Sequence, residues 1–172
     1  RSAELSEFLI EPAAALDLRA TVHGVRYPEE ARLRLARAGI DYRGWIANSD
    51  VPAAFASQRV TVHVPRRPYT RELPGIPTIR PFEALACGIP LVSAPWTDAE
   101  GLFRPGDYLV ASDGDAMRTH LRTLVNDADA RRDIAGRGLE TIRRRHTCRH
   151  RVDEMFGILD RLGAPSSIPE RV

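Results

Sequence analysis

The sequence predicts an α/β fold: a parallel sheet covered by helices on both faces. Three observations carry this prediction. Short runs rich in Val, Ile, Tyr and Thr recur at 20–25, 42–46, 59–64, 91–94 and 108–111. Segments with helical periodicity separate the first four of these runs. From Asp113 onward the pattern is wholly helical. Strands joined by helical crossovers run parallel and are buried on both sides.

Each element has its own signal. Leu5, Phe8, Leu9, Ala13 and Leu16 recur near helical spacing over 4–18, with Pro12 marking a kink or a split. Ala20 to Val25 reads as a short buried strand in which Gly24 permits close approach. Pro28 suits the first position of a helix over 28–38, and Gly39 suits its end. Tyr42 to Ile46 reads as a second strand with Gly44 inside it. Asn48-Ser49-Asp50 is turn and cap chemistry before a short helix over 51–57. In 59–64, Val60, Val62 and Val64 alternate against Thr61 and His63 as in a strand.

A long irregular segment, 65–79, follows. Segments of that length inside a compact domain are functional or disordered. This one holds Arg66, Arg67, Tyr69 and Arg71, either a cationic rim or a solvated basic loop. A short helix over Pro81 to Cys87 comes next, with Glu83 on its first turn and Gly88 as its stop. Leu91 to Ala94 and Tyr108 to Ala111 are strands, separated by a turn over 96–103 and Pro105-Gly106. Three helices close the chain, over 113–125, over 129–145 and from an N-cap at Thr147 to Leu162. Residues 1–162 thus form one domain, and 163–172 a loose Pro/Ser-rich tail.

Composition narrows the function. A chain of 172 residues that is 43% hydrophobic suits one domain with a full core. The charge of +2, from 25 basic and 23 acidic residues, is too balanced to argue for a nucleic-acid partner. All the basic residues are Arg, which fits a GC-rich bacterial genome. Two cysteines make no disulfide framework, so a reduced, cytoplasmic setting is expected. No run approaches a membrane span or a signal-peptide core. The abrupt start without Met suggests the C-terminal part of a longer protein.

Ligands of parallel sheets bind beyond the carboxyl ends of the strands. The stretch from Pro74 to Gly88 belongs there. The backbone of Gly75, Ile76, Pro77, Thr78 and Ile79 can offer N–H groups to phosphates or sugar hydroxyls, or can simply form a rigid turn. Glu83 can accept hydrogen bonds from neighbouring sugar hydroxyls, or can compensate the helix dipole. Arg80 can grip a diphosphate, or pair with Glu83. Asp98 and Glu100 can hold a ligand hydroxyl or cap the turn at Leu102-Phe103. His146, Cys148 and His150 do not have metal-site spacing, and Thr147 as a cap with His150 at the third helical position explains the run. Cys87 reads as a small buried residue. No metal or cofactor is called for, and no Gly-x-Ser-x-Gly, Walker lysine or Gly-x-Gly-x-x-Gly is present.

Pro77-Thr78-Ile79-Arg80-Pro81-Phe82-Glu83-Ala84-Leu85-Ala86-Cys87-Gly88-Ile89-Pro90-Leu91-Val92 resembles the donor-site motif of GT-B glycosyltransferases. It is similar in particular to the CgeB-like (spore-maturation-protein-like) group. Val22-His23-Gly24, Tyr42-Arg43-Gly44-Trp45, the segment from Leu102 to Gly106, and Arg145-His146-Thr147 add to the likeness, which covers residues 1–162. The resemblance implies a Rossmann-like, nucleotide-sugar-binding C-terminal lobe. It implies that Glu83 binds the ribose diol and that phosphates lie at the 75–79 loop. The base would rest against Gly44, Trp45 and Ile46. Retaining members carry a second glutamate with seven residues between the two, and Gly75 occupies that place here. The resemblance further implies a hexosyltransferase-like enzyme with a nucleotide diphosphate sugar as donor and no metal, charge being met by Arg and helix N-termini. The acceptor site and often the base belong to an N-terminal lobe, so this domain alone is expected to be inactive. A non-catalytic binding or assembly module, and half of a nucleotide-sugar epimerase, are the alternatives.

Overall fold

The computed structural model describes residues 2–65, 70, 72, 75 and 78–163. All paired strands run parallel, in two ladders. β1 (Thr21–His23) pairs with β2 (Asp41–Gly44). β3 (Thr61–His63), β4 (Leu91–Ser93) and β5 (Leu109–Val110) form the second ladder, with β4 in the middle. The expected α/β architecture is present, but the ladder hydrogen bonds divide it in two. The strands are shorter than the sequence suggests. Gly44 adopts a φ of +68°, in the left-handed region, and this ends β2 before Trp45.

The first helical segment runs from Ser2 to Ala15 as α1 (Ser2–Leu5), a π turn (Ser6–Ile10) and α2 (Glu11–Ala15). Pro12 does not split it. Glu11 N–H reaches back to the Ser6 carbonyl, one residue further than in an α-helix. A proline lacks an N–H and crowds the carbonyl one turn before it, and this wider turn just ahead of Pro12 makes the room. The segment links the ladders. Phe8 packs with Val92, Ala111, Met117, Leu121 and Leu124. Leu5, Ile10 and Ala13 pack with Val22, Leu35 and Ile40.

Helices cover the sheet in the expected order. α3 (Glu29–Arg37) has Pro28 as its N-cap rather than its first residue, and α4 (Val51–Ala56) follows a short turn. α5 (Ile79–Ala86) begins two residues earlier than predicted. Pro81 therefore holds the third helical position, and Glu83 lies in the second turn, not the first. Residues of the first turn have no intrahelical acceptor for their N–H groups, so a proline is tolerated throughout it. α6 (Gly114–Asn126) and α7 (Ala128–Arg145) are capped by Asp113 and Asp127, whose carboxylates accept backbone N–H bonds. α8 (Cys148–Arg161) follows Thr147 and leaves Val152, Met155, Phe156, Ile158 and Leu162 exposed. Among the described residues no helix is long and apolar enough to cross a membrane.

A third cluster seats α5. Ala84, Leu85, Ile89, Leu91 and Phe103 are buried together, flanked by Phe82, Trp96, Tyr108 and Ile142. The Phe82 ring meets Phe103 at 4.9 Å and His146 at 5.1 Å between centroids. Gly138 of α7 lies against Leu85. A Cβ there would come within 2.5 Å of Leu85 Cδ2 and 2.9 Å of the Asp107 carbonyl. The missing side chain lets α7 press on α5.

Candidate functional site

Thr78 is the N-cap of α5, with extended backbone. A threonine at this position ordinarily accepts the N–H of the second or third helical residue. Pro81 has no N–H to give. The Thr78 hydroxyl instead lies 3.0 Å from Nε2 of His63, the last residue of β3. His63 Nδ1 lies 3.0 Å from Oγ of Ser93, the last residue of β4. The Ser93 hydroxyl donates to the Ala94 carbonyl at 2.7 Å. Burial, and after it the charge of Arg80, pulls the His63 imidazole down to about 4. It is neutral at physiological pH. A chain of hydrogen bonds thus joins two strand ends to the start of α5.

Arg80 and Glu83 form an ion pair, Nη1 to Oε2 at 2.7 Å. The arrangement lies off the line of a hydrogen bond, so Glu83 Oε2 is buried and charge-paired but receives no hydrogen-bond donor. Arg80 thus pairs with Glu83, as the pair reading has it. Ile79, the first residue of α5, is 66% exposed. With Pro81 contributing no N–H, the open donors of this helix end belong to Thr78, Ile79 and Arg80.

Gly75 is buried with a φ of +92°. A Cβ at this position would lie 2.6 Å from the Ala99 Cβ. The backbone conformation and the neighbour both disfavour a side chain there. Ile76 and Pro77, expected at the site, lie outside the described residues, as do Arg66, Arg67, Tyr69 and Arg71 of the expected cationic rim. Gly44, Trp45 and Ile46 leave the carboxyl end of β2, on the other ladder. Trp45 is 73% exposed, a large flat apolar surface on the side where ligands of such sheets bind. Ile46 is half-buried.

Other sequence candidates have structural employment. Asp98 accepts the N–H of Leu102 at 3.0 Å and of Phe103 at 2.9 Å, so the capping reading applies. Glu100 is exposed. His146 Nε2 bonds the Leu102 carbonyl at 2.7 Å, and Thr147 Oγ1 meets His150 Nδ1 at 2.6 Å. Among the described residues no three metal-ligating side chains gather. Cys87 is exposed rather than buried, because α5 turns its buried face, Ala84 and Leu85, toward the sheet. Partial burial and then the Glu83 charge push its thiol up, which keeps it protonated.

Sequence reading passed over His63 and Ser93. Both end parallel strands, and a histidine or serine at a strand's carboxyl end is the signal that would have marked them.

Among curated proteins no relative is found. HepE from Anabaena, solved with UDP-glucose, superposes with a TM-score of 0.72 at 20% identity, over 90% of this chain and 44% of its own. The C-terminal domain of the group 1 glycosyl transferase LpcC from Francisella tularensis gives 0.63 at 19% identity, over 86% of this chain and 82% of that one. Sucrose-phosphate synthase from Thermosynechococcus elongatus gives 0.69 at 15% identity, over 90% and 41%. These likenesses show a Rossmann-like fold of the kind found in the C-terminal domains of GT-B glycosyltransferases. The chain spans less than half the length of HepE. The model of the glycosyl transferase-like family matches residues 1–157, nearly the whole chain, and the protein belongs to that family.

Proposed function

We propose that this chain is the donor-binding lobe of a glycosyltransferase that moves a sugar, a hexose, from a nucleotide diphosphate sugar to an acceptor. One observation carries the reading. The Glu83 side chain, in the second turn of α5, is three-quarters buried, and its oxygen facing Arg80 is enclosed without a hydrogen-bond donor. A ribose diol supplies such donors. The N–H groups of Ile79 and Arg80 and the loop at Gly75 suit the diphosphate. The exposed Trp45 beside Gly44 and Ile46 suits a stacked base. HepE has been solved with UDP-glucose, with UDP and glucose, and with UDP, which makes a uridine diphosphate sugar the first donor to test.

Within this reading the chain falls in the CgeB-like group. Residues 1–162 form the nucleotide-sugar domain and 163–172 a tail. The acceptor site sits in an N-terminal lobe outside these residues, and this lobe alone transfers nothing. The enzyme works in a bacterial cytoplasm without a metal. Departing diphosphate charge is met by Arg80 and the start of α5.

A non-catalytic binding module is the second reading. Gly75 favours it, since no carboxylate stands there to face the sugar and the backbone disfavours one. Calorimetry with UDP, GDP and dTDP tests the donor-site reading common to both. One nucleotide should bind, and Glu83→Ala should abolish binding while leaving the melting temperature within a few degrees. If none binds at millimolar concentration, the donor-site reading is wrong. Transfer assayed with the acceptor lobe present then separates enzyme from module.

A further inference from the structure

We propose that His63 is a positioning residue of the donor site: pinned from behind by Ser93 on β4, it holds the Thr78 hydroxyl and with it the first turn of α5. The proposal rests on the donor-binding reading above.

The hydrogen-bond chain fixes its own direction. Ser93 gives its only proton to the Ala94 carbonyl. Toward His63 the serine oxygen can therefore only accept, so Nδ1 carries the imidazole proton. The imidazole is neutral, as burial dictates, which leaves Nε2 bare. Nε2 must accept, and the donor at 3.0 Å is the Thr78 hydroxyl. Each hydrogen between Thr78 and Ala94 has one place to go.

Two things follow for the ligand. First, α6 and α7 bind their opening N–H groups with Asp caps of their own. α5 leaves its opening N–H groups without a side-chain cap and ties its cap residue across to the sheet instead. The donors of Ile79 and Arg80 are thus both open and fixed, which is what binding a phosphate without reorganisation requires. Second, the Thr78 proton is committed. Its oxygen presents lone pairs alone, so it can receive a sugar hydroxyl and cannot donate to a phosphate oxygen. His63 thereby divides the labour at this turn: backbone N–H groups for phosphate, the threonine oxygen for a hydroxyl.

The test uses Thr78→Val, which keeps the shape and removes the hydroxyl, and Thr78→Ser, which keeps the hydroxyl. Amide hydrogen exchange of α5, UDP titration and the nitrogen shifts of His63 are measured on each. Thr78→Val is expected to speed exchange in the first turn of α5 and to weaken UDP binding by about 2- to 10-fold, the worth of one hydrogen bond. Thr78→Ser should restore both, and wild type and Thr78→Ser should show the Nδ1–H tautomer. Unchanged exchange in Thr78→Val, failure of Ser to restore, or an Nε2–H tautomer overturns the proposal. If the wild-type chain takes up no UDP, the donor-binding reading fails, and the exchange and tautomer results alone decide whether His63 holds the helix.

Discussion

Arg80 and Glu83 sit three residues apart on α5 with guanidinium and carboxylate 2.7 Å from one another. The guanidinium is nearly half exposed, so the pair is screened and contributes at most about 1 kcal/mol to stability. Under the proposed donor-binding role its effect on a ligand is expected to be larger. Replacing Glu83 by Gln should shift the urea midpoint little yet weaken UDP by about 10-fold or more, because hydrogen bonds to a charged acceptor are the strong ones. Calorimetry and urea melts on Glu83→Gln, Arg80→Gln and the double variant separate the two effects.

Gly75 should resist substitution. Gly75→Ala places a side chain at a φ of +92° and 2.6 Å from Ala99, with an expected cost of about 1–3 kcal/mol. Adding Ala99→Gly removes the contact and leaves the backbone strain. Urea denaturation of the single and double variants should therefore show partial recovery, not full.

Two glycines of α7 should respond oppositely to the same change. A Cβ at Gly136 meets nothing within 4 Å. Gly136→Ala should gain helix propensity and stabilise by about 0.5–1 kcal/mol. At Gly138 the new methyl meets Leu85 and the Asp107 carbonyl, and backbone cannot yield as a side-chain tip does. Gly138→Ala should destabilise by about 1–3 kcal/mol despite the same propensity gain. Thermal melts of the two variants suffice.

His63 should make stability depend on pH. Unfolded, the imidazole protonates near its ordinary 6.5, whereas in the fold it resists until about 4. Between those values the unfolded chain binds more protons. The contribution is therefore complete above pH 6.5 and is lost as pH falls toward 4. At pH 4.5 the loss relative to pH 7 is about 2 kcal/mol. His63→Gln should lack that component of the slope, whatever its absolute stability. Urea melts at the two pH values on both proteins measure it.

Much of the fold could be read from residue pattern alone. Asp113 at a cap, Thr147 ahead of α8 and Val62 in β3 stand where periodicity places them. The site was less legible, and the reasons are specific. Pro81 suggested the start of a helix, but a proline suits the whole first turn, so Glu83 moved to the second. The alternation in 59–64 set His63 apart from the valines. In the fold His63 is buried while Val60, Val62 and Val64 are only half-buried. Its bonds to Thr78 and Ser93 span 15 and 30 residues, beyond the reach of any local pattern.

The helical segment from Ser2 to Ala15 has a kinetic consequence. Phe8 completes its cluster with Leu121 and Leu124, more than a hundred residues later, while Leu5 and Ile10 serve the nearer cluster around Val22 and Leu35. During synthesis Phe8 leaves the ribosome long before Leu121 and Leu124 of α6, the last residues of its cluster. Contacts this distant in sequence slow folding, and here they delay the joining of the two ladders until α6 is made.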